Sequence, residues 1–278
     1  MQNVDRKAIL IGCPGSGRNF LSGPAKDLEN LKEFLQSDKG GRWYPNEITT
    51  LQNPTFDQLF EVVHSTNADY NFIYFSGHGY TTDEFKRMVA LRDSNVEDLF
   101  FINDSSRQLI VIDACRNFVG DGISGILDLG EQWFHFDGVY ESREIFDRHI
   151  KNSPHGKTIV HATQIGHYSY DSQTGGYFTK ALLQVSTRVK TETYKPVFIT
   201  QILSMLPTVL KNQGNQQIPE ITYTEGNMKV PFAIAVPKKI FPKPKVPQRK
   251  YMPASNNSSG GGLLLFGLVL LLIAASSK

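Results

Sequence analysis

Asn71-Phe72-Ile73-Tyr74-Phe75-Ser76-Gly77-His78-Gly79 and Gln108-Leu109-Ile110-Val111-Ile112-Asp113-Ala114-Cys115-Arg116 decide the reading of this chain. Each is a short run rich in Ile, Val, Phe and Tyr that ends in small or polar residues, which predicts a strand buried on both faces in a parallel sheet. Such sheets place their chemistry just beyond the strand C-termini. His78 and Cys115 are therefore expected to emerge on the same rim.

A thiolate is the attacking form of cysteine, and near neutral pH a free cysteine is mostly thiol, so a neighbouring imidazole must take its proton. Gly79 lets the backbone lie close to a substrate, and its N–H is expected to converge with that of Cys115 on a developing oxyanion. The pair implies acyl transfer from an amide or ester. Either residue alone reads more simply as a packed cysteine or a hydrogen-bonded histidine.

With these residues in place, the chain resembles the caspase-like cysteine peptidases, and among them the metacaspases and their bacterial relatives, the orthocaspases. Ser76-Gly77-His78-Gly79 and Asp113-Ala114-Cys115-Arg116 carry the match. Further similarity lies in Ala8–Gly12, Leu21–Asp27 and Gly176–Leu182, so that the resemblance spans residues 6–235. It implies His78 as general base, Cys115 as nucleophile, and no third carboxylate in the catalytic set. It also implies that Asp113 and Asp27 line the primary specificity pocket and accept an Arg or Lys side chain. Electrostatics agrees: two carboxylates in a narrow pocket repel each other and are stabilised by a guanidinium or ammonium, whereas an acidic substrate adds a third negative charge. The plainer reading of Asp27 is a surface residue near a helix start. Two differences from the metacaspases are Arg116-Asn117-Phe118 in place of their His-Ser-Gly, and Pro24 where some have a second cysteine.

The expected fold class is α/β, a caspase-like sandwich with a mostly parallel six-stranded sheet and helices on both faces. Strand signals fall at Lys7–Gly12, Glu47–Gln52, Asn71–Ser76, Gln108–Ile112 and Thr158–Ala162, with a sixth near 221–233. Helix patterns fall at Ala25–Gln36, Asp57–His64, Tyr177–Ser186 and Pro196–Leu210. Alternation of this kind argues for a doubly covered sheet. Between Phe118 and Pro154 the pattern lapses, and the polar stretch 140–157 reads as a mobile loop. In the resembled family the link between large and small segments lies here and is often cut, so Arg143, Arg148 and Lys151 are expected autocleavage positions. Tyr168 and Tyr177 are candidate substrate-binding walls, with ordinary packing as the alternative.

Length and composition fit one catalytic domain over residues 1–236, since 278 residues at 40% hydrophobic content bury a substantial core. The net charge of +2 hides a basic excess in the tail, so the folded part shows no nucleic-acid groove. Seven histidines and two cysteines lie scattered without a zinc, EF-hand or phosphate-loop spacing, so no metal or other cofactor is signalled. A loose acidic set, Asp83, Glu84, Asp93, Glu97 and Asp98, leaves calcium dependence open. Two cysteines with one needed as a thiol point to a reducing compartment.

Residues 237–262 read as a linker, first Pro/Lys-rich and then Ser/Gly-rich; Pro237–Pro253 holds five prolines, six basic residues and no acid. Residues 263–277 are uncharged and largely apolar, expected to form a short C-terminal transmembrane segment. The basic linker then favours a cytoplasmic catalytic domain beside anionic lipid, and Met1–Arg6 is too short and polar for a signal peptide. The expected protein is thus a membrane-tethered cysteine endopeptidase acting on protein or peptide substrates after Arg or Lys. Two alternatives stay open, a catalytically silent caspase-like scaffold at the membrane and another thiol hydrolase with the same His-then-Cys order.

Overall fold

The computed structural model describes residues 4–117 and 141–237. Strands β1 (Arg6–Cys13), β2 (Ile48–Gln52), β3 (Tyr70–Gly77), β7 (Arg107–Asp113), β8 (Gly156–His161) and β10 (Glu220–Gly226) form a six-stranded sheet in the order β10-β8-β7-β3-β1-β2. All neighbours pair parallel except β10, which runs antiparallel to β8. A second sheet of three short antiparallel strands, β4 (Gly79–Thr81), β5 (Arg87–Ala90) and β6 (Asn95–Glu97), follows β3 directly, and β9 (Lys195–Val197) pairs with β11 (Ala233–Ala235).

Side chains alternate across the main sheet because successive Cβ atoms point to opposite faces. Ala8, Leu10, Phe72, Tyr74, Leu109, Val111 and Val160 pack against α1 (Gly23–Gln36), α3 (Glu141–Asn152), α4 (Tyr177–Arg188) and α5 (Ile199–Asn212). Their neighbours Ile9, Ile11, Ile73, Phe75, Ile110 and Ile112 pack against α2 (Phe56–Ser65) and the small sheet. Both faces are thereby covered, which is why β3 and β7 are buried at every position and read as unbroken apolar runs.

One expectation is corrected here. Residues 141–152 are helix, not loop, because Ser142, Phe146 and Ile150 recur at a spacing of four and bury one face. Arg143 lies on that helix and is nearly buried. It donates to both carboxylate oxygens of Glu47 and to the Arg42 carbonyl, with its guanidinium 3.8 Å from the Tyr44 ring centroid. Arg148 and Lys151 sit on the exposed side of the same helix. All three autocleavage candidates thus lie on a helix and not on the loop expected of them, with Arg143 tied into an ion pair.

Beyond Pro237 the expected linker and transmembrane segment lie outside the described residues, as do residues 118–140. Among the described residues no helix is long and apolar enough to cross a membrane.

Candidate active site

Register fixes where the two strand ends lie. Ser76 on β3 pairs with Asp113 on β7, and Gly12 on β1 pairs with Ser76. His78 and Cys115 each follow two residues beyond the Ser76–Asp113 pair, so both leave the sheet at the same level. Gly79 opens β4 against the Cys115 turn, where a Cβ would lie 2.8 Å from the Ala114 Cβ and 2.9 Å from the Cys115 carbonyl oxygen. Only glycine permits that approach between the two rims.

At rest the two side chains have separate partners. His78 Nε2 is hydrogen-bonded to the Asn19 carbonyl oxygen in the loop between β1 and α1. Cys115 Sγ donates to the Ser169 carbonyl, 3.2 Å away. Burial pushes the Cys115 thiol above its ordinary value, and Asp113 and Asp171 add repulsion in the same direction. Cys13, fully buried at the end of β1, is pushed further, to about 12, by burial alone. Cys115 is half-buried and reaches the surface.

The Cys115 turn is held by its neighbour Arg116. Its backbone N–H donates to the His167 carbonyl, while its own carbonyl accepts from the Gly166 N–H and the Thr81 hydroxyl. Its buried guanidinium donates to the Thr163 carbonyl and pairs with Glu220 on β10.

Behind the turn lies a carboxylate pair. Asp27 is buried on the first turns of α1, not on the surface. It accepts from the Ser76 hydroxyl and the Gly176 N–H, each at 2.8 Å. Asp113 Oδ1 accepts from the Ser169 hydroxyl at 2.5 Å, and Oδ2 accepts from the Thr179 hydroxyl at 2.7 Å and its N–H at 3.3 Å. Burial pushes the Asp113 carboxyl up to about 6. Burial, and then repulsion from Asp113, holds Asp27 well above the ordinary carboxylate range. Burial and mutual repulsion thus both oppose two negative charges on the pair, an opposition that a neighbouring cation relieves.

Asp171 is a third acid that sequence reasoning missed. It accepts from the Gly23 N–H at the start of α1, burial raises it, and it repels Asp27, Asp113 and Cys115. Ser169 was missed as well, although it touches both Sγ and Asp113. Neither stands at a strand end or on a periodic face, so no local pattern marks them.

The two tyrosines part company. Tyr168 is half-buried with its ring centroid 6.3 Å from that of Tyr170. Tyr177, the first residue of α4, is packed in the core with only 6% exposure, so the open wall expected of it is corrected to a core position. Asp98 of the loose acidic set is fully buried, paired with Arg87 and with His161 Nε2. Among the described residues no cluster of three or more His, Cys, Asp or Glu is arranged to hold a metal ion.

A family model described as a caspase domain matches residues 5–229. Among solved structures, caspase-1 from Spodoptera frugiperda aligns with a TM-score of 0.53 at 15% identity, covering 87% of this chain and 94% of that one. A protein from Geobacter sulfurreducens aligns with a TM-score of 0.54 at 14% identity, covering 83% and 99%. At these identities the likeness concerns the fold. No curated protein matches the chain.

Proposed function

The chain belongs to the caspase-domain family, a cysteine-peptidase fold, and from that membership we propose a cysteine endopeptidase that cuts proteins after Arg or Lys. Cys115 Sγ bonds to the scissile carbonyl carbon while its proton passes to His78. The Gly79 and Cys115 N–H groups receive the oxyanion. Collapse breaks the C–N bond as His78 protonates the departing amine, leaving a thioester on Cys115. Water, deprotonated by His78, then adds to the thioester, releases the new carboxylate and restores the thiol.

The observation that carries this reading is the buried Asp27–Asp113 pair directly behind the Cys115 turn. Two carboxyls so placed suit a cationic side chain and oppose an acidic one. The test is hydrolysis of fluorogenic peptides ending in Arg, Lys or Asp by the wild type and by Cys115→Ala, with and without calcium. Turnover of Arg and Lys peptides by the wild type alone supports the proposal. Absence of turnover with all three overturns it in favour of the scaffold reading.

We further propose that residues 263–277 anchor the domain to a bilayer on its cytoplasmic side through the basic linker. Support comes from the apolar run and the linker charge in the sequence. A chain ending at Val236 that still sediments with anionic vesicles overturns it.

A further inference from the structure

Ser169 holds the nucleophile with one atom and the pocket with another. Its carbonyl oxygen accepts the Cys115 thiol at 3.2 Å, and its hydroxyl donates to Asp113 Oδ1 at 2.5 Å. The hydroxyl also accepts from Gln217 Nε2 at 2.9 Å. Gln217 is itself buried and fixed by Asn215, through Nδ2 to Oε1 at 2.8 Å and a returned backbone N–H at 2.9 Å.

We infer that Ser169 is a positioning residue that couples occupancy of the cation pocket to release of the Cys115 thiol. The inference rests on the reading of Asp27 and Asp113 as that pocket. Asp113 Oδ2 already accepts both Thr179 donors. Each carboxylate oxygen offers two lone pairs, so an arriving guanidinium bonds at Oδ1, which it shares with the Ser169 hydroxyl, and weakens that hydroxyl's bond. A charged donor is the stronger competitor. The loosened hydroxyl shifts toward the Gln217 amide that already donates to it, where Oε1 has a second lone pair to accept its proton, the Ser169 backbone follows, and its carbonyl withdraws from Sγ. The thiol proton, no longer committed to Ser169, becomes available to His78. An empty pocket therefore keeps the nucleophile parked, and a basic side chain frees it as it binds. The same coupling disfavours attack on peptides that leave the pocket empty, so specificity acts on the chemical step as well as on affinity.

Methylguanidine is the probe, because it carries the cationic group without reaching the thiol. The rate of iodoacetamide alkylation at Cys115 is measured by peptide mass on the full chain, with and without methylguanidine. Its binding is followed separately as a rise in Tm that Asp113→Asn abolishes. Wild type should show alkylation accelerated about tenfold by bound methylguanidine, the effect of losing one ordinary hydrogen bond. In Ser169→Ala the ratio of the two rates should fall to about one while the Tm rise persists, and Ser169→Thr should restore the acceleration. Wild-type binding without acceleration overturns the coupling and leaves the pocket standing, as does acceleration retained in Ser169→Ala. Absence of any Tm rise in the wild type overturns the pocket reading, and the coupling falls with it.

Discussion

Asp27 and Asp113 meet at Gly176: a Cβ built there would lie 2.5 Å from Asp113 Oδ2 and 3.2 Å from Asp27 Oδ2. The residue just before α4 is thus part of the wall between the two carboxyls, and its N–H is one of the donors to Asp27. Gly176→Ala should press a methyl group onto both acids. Overpacking of this sort costs about 1–3 kcal/mol. The expected outcome is a lower Tm and at least a tenfold fall in kcat/KM on Arg peptides, with the loss concentrated in KM, read by steady-state kinetics.

Asp113 gives a stability prediction of definite sign. Its folded value of about 6 lies above the ordinary carboxylate value near 4 because burial disfavours the charge. A raised acid contributes most at pH below its unfolded value, and that contribution is lost as pH climbs from about 4 through about 6. Asp113→Asn mimics the neutral form. Relative to wild type it should be equal in stability at pH 4 and more stable at pH 7, by up to about 3 kcal/mol from a difference of roughly two pH units. Denaturant titrations at the two pH values read this directly. A variant equally unstable at both would overturn it.

The same substitution separates stability from function. Asp27→Asn and Asp113→Asn each remove a charge that a guanidinium needs, at a cost of about 2–4 kcal/mol for a buried charge pair. Activity on Arg peptides should drop by about 30- to 1000-fold, while Cys115 remains alkylatable. An unchanged kcat/KM in either variant would reject the cation pocket.

Much of this arrangement is legible from the chain because β3 and β7 are buried on both faces and announce themselves as apolar runs. Their ends then locate His78, Cys115 and Asp113 without further help. The small sheet β4–β6 escapes notice since its strands are three or four residues long and carry mixed polarity. Helix α3 escapes because Phe146 and Ile150 are sparse among charged residues, and its salt links to Glu47 join parts of the chain about a hundred positions apart. Asp171 and Ser169 lie in the loop before α4, where Asp171 accepts from a backbone N–H and Ser169 meets Sγ through its carbonyl. A contact made by a carbonyl carries no signature in residue type, so the resting partners of Sγ and Nε2 become visible only in three dimensions.

The resting partners lead to a pH profile. With the His78 imidazole held by Asn19 and its own proton directed at Ser169, Cys115 in the unliganded protein is a half-buried thiol whose ionisation burial opposes. Alkylation by iodoacetamide follows the thiolate. Its rate at neutral pH should be below that of an unstructured cysteine peptide, and its inflection should lie above the ordinary value of about 8.5. A rate maximum near neutrality in the absence of substrate would mean that the thiolate–imidazolium pair is already formed.

Arg143 provides the last contrast, between an arginine as cleavage position and as structural clamp. It bridges Glu47 and the Arg42 carbonyl at one end of the sheet, beside a fully buried Arg6 that pairs with Glu47 and Asp147. Glu47 is held below the usual carboxylate range; burial opposes this, but the Arg143 hydrogen bond, the nearby Arg6 charge and the Tyr44 N–H outweigh it. Removing one partner strands the other charge in a poorly solvated place, which typically costs about 3–5 kcal/mol when the pair is buried. Since Arg143 keeps slight exposure, the lower end applies: Arg143→Ala should lose about 3 kcal/mol in chemical denaturation and keep its kcat per folded molecule. Trypsin added to the native wild type should leave the bond after Arg143 intact and cut it only after denaturation. Cleavage there in the folded protein, at a rate matching an exposed loop, would show that α3 opens far more readily than its buried face allows.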